Sequence, residues 1–150
     1  MKNFLSYCLI CIFGLLVGCV SDKHAIAVNP QKIYEAVSTK YPADKNSLIF
    51  ISAPEGFVAP SLATFEVENG VDNGKVVAIV SALALKTTTV VVAGDDESLT
   101  VTTMAKALGA SKDKISGSKA IVIGAKETQK KLADLAAANG VLLEFIETPL

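Results

Sequence analysis

Val90-Val91-Val92-Ala93-Gly94 and Ala120-Ile121-Val122-Ile123-Gly124 stand thirty residues apart and repeat one pattern, four apolar residues and then a glycine. A short apolar run that does not alternate with polar residues marks a strand buried on both faces, and such strands belong to parallel sheets flanked by helices. Behind each glycine the chain turns polar and takes up a helical spacing. Strand, glycine and helix recurring at about thirty residues is the length of a βαβ unit. The pair therefore predicts an α/β domain with right-handed crossovers.

Two more strands extend the pattern. Leu48-Ile49-Phe50-Ile51 is an apolar run bounded by Asn46-Ser47 and by Pro54-Glu55-Gly56. Residues 141–147 form the last. With strands near 48–52, 87–93, 120–124 and 141–147, the expected fold is a small three-layer α/β domain, a mainly parallel sheet of about four strands flanked by helices. Asn29 caps a first helix, Pro30 suits its first turn, and Ile33, Tyr34, Val37 and Tyr41 give its stripe as far as Pro42. Gly94-Asp95-Asp96-Glu97 opens a helix that Gly109 should stop near residue 108, followed by a polar loop over 111–119. The helix expected over 126–139 turns Leu132, Leu135 and Ala136 inward and Lys130, Lys131 and Asp134 toward water, and Gly140 closes it. Two stretches read less directly. Phe65-Glu66-Val67-Glu68 alternates like an edge strand, and Pro60 argues against a regular element running through it. After the turn signal Asp72-Asn73-Gly74, residues 75–80 read as the return arm of a hairpin or residues 71–85 as a buried helix. The helix is preferred because a strand must start again just after Lys86.

The start of the chain is of another kind. Lys2 is followed by an apolar run over residues 4–17, shorter than the roughly 20 residues of a relaxed membrane span. A charged, an apolar and a small-residue region in that order make an export signal. Its end, Leu16-Val17-Gly18-Cys19, closely resembles the lipobox of bacterial lipoproteins. The resemblance implies that residues 1–18 are removed and that Cys19 carries diacylglycerol on its sulfur as the first residue of the mature protein. It also implies the outer membrane, because the family's inner-membrane retention signal, an aspartate directly after the cysteine, is replaced by Val20. A single acyl chain binds a membrane marginally, but two or three hold almost permanently. Residues 19–29 then form the lipidated cysteine and its tether, and residues 30–150 the single domain.

Composition narrows the chemistry. Fourteen lysines stand against fifteen Asp and Glu, there is no arginine, and the net charge is −1. Neither a basic patch for nucleic acid nor an acidic tail is present, and bidentate recognition of phosphate lacks its usual residue. Tryptophan is absent. All three cysteines, Cys8, Cys11 and Cys19, lie in or at the end of the signal. The Cys8-x-x-Cys11 spacing is therefore discarded as a redox or metal motif, and the domain must stand on packing without a disulfide. His24, the one histidine, falls on the tether, which leaves little basis for a Ser-His-Asp triad or a zinc site. The glycine turns lack the rest of G-x-G-x-x-G, and no Walker sequence or G-x-S-x-G occurs.

Ligands of such sheets gather beyond the carboxyl ends of the strands. That edge should carry Ser52, Glu55, Asp95, Asp96, Glu97, Lys126 and Glu127. Asp95, Asp96 and Glu127 are the candidates for a divalent ion or small ligand, against the plainer reading that acidic residues there cap helices. The expectation is a non-enzymatic protein without a cofactor, held to the membrane by its lipid, with other envelope proteins as partners and no nucleic acid. It would serve as a binding or accessory subunit of a secretion, conjugation or pilus assembly, in the periplasm or at the surface. The alternatives are the acidic-cluster ligand site and a surface lipoprotein for exclusion or host contact.

Overall fold

Four runs of β-branched and aliphatic residues form the four strands β1 (Asn46–Ile51), β2 (Thr89–Gly94), β3 (Lys119–Gly124) and β4 (Leu142–Glu147). The structure, a computed structural model, describes residues 29–42, 45–56, 59–110, 112–124 and 126–147. The signal, Cys19, His24 and the tether as far as residue 28 lie outside the described residues. Among the described residues six helices accompany the strands: α1 (Pro30–Lys40), α2 (Ala59–Glu68), α3 (Gly74–Leu85), α4 (Glu97–Ala110), α5 (Lys112–Ile115) and α6 (Lys126–Ala138).

All neighbouring strands are parallel, in the order β1-β2-β3-β4. Right-handed crossovers that always step the same way put every connecting helix on the same side of the sheet. The packing shows this. Residues from α2 to α6 form one core with Ile51, Val90, Val92, Ala120 and Val122, the side chains that point to one face. The opposite face is covered by α1, whose Ile33 and Val37 pack on Val91, Ala93, Ile121 and Ile123. The expected three layers are present, and they are unequal.

Local chemistry explains most boundaries. The Asn29 side chain accepts from the Gln31 amide at 2.9 Å, Pro30 opens α1, and the helix ends before Pro42. Lys86 takes the left-handed conformation at the end of α3, with φ 58°, so the chain needs Thr87 and Thr88 to turn before β2 starts. Gly140 closes α6 at φ 71°. Its missing Cβ matters as well, since a Cβ there would meet Ser116 Oγ at 2.6 Å.

Three expectations need correction. Residues 59–68 are a helix, where Phe65-Glu66-Val67-Glu68 suggested an edge strand. Pro60 is the second residue of α2, where a missing N–H breaks no helical bond. Ala63 and Val67, four apart, face the core while Phe65 is 59% exposed, so the alternation coincides with a helical spacing. After Asp72-Asn73-Gly74 the preferred helix is present as α3, starting at Gly74, and the hairpin alternative falls away. Gly109 does not stop α4, which continues through it to Ala110. The loop over 111–119 contains the single turn α5, held by the fully buried Ile115.

Candidate functional site

The strands end at Ile51, Gly94, Gly124 and Glu147, and the acidic residues collect at the first two of these ends. A Cβ at Gly94 would fall on Thr100 Oγ1 and lie 2.5 Å from the Ile51 carbonyl oxygen. Glycine is therefore what lets β2 pass between β1 and the first turn of α4. Beyond it, Asp95, Asp96 and Glu97 each have a structural partner. Asp95 Oδ1 accepts from the Ala53 amide, tying the end of β1 to β2. Asp96 Oδ1 accepts from the Leu99 amide at 2.8 Å and caps α4. Glu97 accepts from the Thr128 hydroxyl at 3.1 Å, joining the first turns of α4 and α6. Glu127 lies in the first turn of α6 and its side chain is outside the described residues. Ser52 and Glu55 are exposed. Among the described residues no group of three His, Cys, Asp or Glu side chains is placed to hold a metal ion.

The opposite edge holds a polar cluster that the sequence did not announce. On the α1 face, register aligns Leu48, Val91, Ile121 and Glu144 in one row. Glu144 is the charged member of an otherwise apolar row. The Tyr41 hydroxyl, at the end of α1, donates to Glu144 Oε2, and Lys40 Nζ lies 3.5 Å from the same oxygen. Lys40 also sits 5.2 Å from the centre of the Tyr41 ring. The Tyr41 hydrogen bond, then the positive charge of Lys40, hold the Glu144 carboxyl below the usual carboxylate range. Tyr41 and then Glu144 hold Lys40 above its ordinary value. The only signal in the sequence was an acidic residue interrupting the apolar face of a strand. Its partner is 103 residues away.

Beside this cluster is a cavity of about 320 Å³ lined by Tyr41, Thr89, Lys119, Leu142 and Glu144. A second, of about 550 Å³, runs along α4 between α2 and α6, with Thr102, Ala105 and Gly109 as its floor and Glu68, Lys106 and Lys131 at its sides. Its charges are mixed in sign and its floor is of small residues, which gives it no pronounced preference for an anion or a cation. Among the described residues no helix is long and apolar enough to cross a membrane. No family model, no curated protein and no solved structure matches the chain.

Proposed function

We propose that the chain is a lipid-anchored envelope protein whose α/β domain binds or organises other proteins of a cell-envelope assembly, such as a secretion, conjugation or pilus system, without catalysing a reaction. The observation that carries this reading is Leu16-Val17-Gly18-Cys19 behind its apolar run. The sheet edge adds support of a different kind. Asp95 and Asp96, the carboxylates best placed for chemistry, spend an oxygen each on a backbone amide. The lipid supplies location, and the domain presents surface beside the bilayer.

The test starts with the native protein extracted from membranes. Mass spectrometry should find the chain beginning at Cys19 with diacylglycerol on its sulfur, and Cys19→Ser should leave a longer, unacylated form that no longer fractionates with the outer membrane. An intact, unacylated Met1 in the native protein would defeat the reading. Where acylation is found, crosslinking in intact cells should give the same envelope protein adducts repeatedly. Calorimetry showing a divalent ion bound to the domain and lost in Asp95→Ala would favour the ligand site over the accessory role.

A further inference from the structure

The two faces of the sheet are held very differently. Helices α2 to α6 pack on one another as well as on the strands, in one continuous core. Among the described residues α1 has its face to itself. Its apolar hold is the pair Ile33 and Val37, four residues apart, with Tyr41 at the rim. Its polar hold is at one end, where Tyr41 and Lys40 meet Glu144 and Asn46 Nδ2 on β1 donates to the Tyr41 carbonyl at 3.2 Å. That end is wet, for the Lys40 and Glu144 side chains are 62% and 57% exposed. The cavity of about 320 Å³ under Tyr41 shows that α1 stops short of the first row of the sheet, where Thr89, Lys119 and Leu142 are aligned.

Little of the sheet's own bonding would break if α1 left. The backbone bonds at its two ends, Ile33 to Asn29 and Tyr41 to Val37, are internal to the helix and its caps. The ladder β1-β2-β3-β4 is complete without it. A helix of eleven residues has little stability alone in water, so α1 would lose its own structure as it left the sheet. What remained would be a paired sheet with Val91, Ala93, Ile121 and Ile123 uncovered.

We propose that α1 is a strap, a unit that opens away from the sheet as one piece while the strands stay paired, with Glu144 on β4 as its catch. Opening uncovers an apolar face that is otherwise closed. The strap is also the first described element of the chain, so a pull from its N-terminal side reaches α1 before any strand. The inference stands on packing and does not require the lipid anchor.

Hydrogen exchange on the full-length protein, resolved by peptide, tests it. Amides of residues 31–41 should exchange at least about tenfold faster than those of β2 and β3, the pattern of a subglobal opening below the global one. Tyr41→Phe and Glu144→Gln should each speed α1 several-fold further and leave β2 and β3 unchanged. Val37→Ala, which thins the apolar hold, should do the same without touching the catch. Equal protection of α1 and the central strands overturns the strap, as does acceleration of all elements together in the variants. If α1 is the less protected unit but ignores both Tyr41→Phe and Glu144→Gln, Glu144 is not the catch and the inference fails in that form. Failure of any of these arms leaves the acylation of Cys19 to its own test.

Discussion

Gly94 and Gly109 carry opposite expectations for the same substitution. A methyl at Gly94 has nowhere to go between Thr100 and Ile51, whereas a Cβ at Gly109 meets nothing within 4 Å. Gly94→Ala should therefore destabilise by about 1–3 kcal/mol, the usual cost of overpacking. Gly109→Ala should stabilise by up to about 0.5 kcal/mol, because glycine loses more backbone freedom than alanine and Gly109 sits in the last turn of α4, where the effect falls short of its helix-interior size. Urea unfolding of the two variants checks both signs. Glu144 gives a pH prediction at the same scale. Its carboxyl is held below the ordinary range in the folded protein, so its contribution is complete above the ordinary glutamate value and is lost as pH falls through the depressed one. Lys40 runs the other way. Held above its ordinary value, it contributes below that value and ceases to as pH rises through the raised one. The groups that set the Glu144 titration are Tyr41 and Lys40 from α1 and, more weakly, Lys119 from β3. Tyr41→Phe removes the largest of these, so side-chain NMR should show the Glu144 titration moving up toward the ordinary carboxylate range.

Helix α2 is where the element-level reading and the structure part. A charge placed at Val67 is buried against the core, and at Phe65 it faces water. Val67→Asp should cost about 3 kcal/mol or more, since a buried charge has no partner there. Phe65→Asp should stay within about 0.5 kcal/mol of the parent, as exposed substitutions do. Chemical denaturation of the pair decides it, for an edge strand would turn Phe65 and Val67 to the same face and make both substitutions costly. The contrast also shows what can be read from a one-dimensional chain. Val90 to Val92 and Ile121 to Ile123 are apolar on both sides of the strand, which no surface segment imitates, and the four strands came out within about two residues. Over Ala63 to Glu68 apolar and polar residues alternate, yet Ala63 and Val67 are also four apart, so the local pattern fits a strand and a helix face alike. The acidic start of α4 was legible as a capped helix, and Asp96 is the residue that caps it. Tyr41 and Glu144 were not, because a hydrogen bond between distant residues leaves no local pattern in either.

At the scale of the molecule, one sheet separates two cores that share no side chain. Ile79 is fully buried in the larger and Ile121 at 1% exposure in the smaller. Trimming each to valine should cost about 0.5–1.5 kcal/mol. Because the two sites have no common partners, the double variant should equal the sum within about 0.5 kcal/mol. A larger departure in thermal or urea unfolding would mean that the strands transmit packing changes from one face to the other. No thiol lies in residues 20–150, so neither core has a covalent tie to fall back on.

The strand order has a consequence for how the fold is made. A chain delivered amino end first, from a ribosome or through a pore, always has the required neighbour of each new strand already in place. β2 finds β1, β3 finds β2 and β4 finds β3, so assembly can keep pace with delivery and no strand waits for one still to come. Among the described elements helix α1 alone runs against this schedule: it arrives before every strand, yet the carboxylate that fastens it belongs to the fourth, so this helix is the last to be secured.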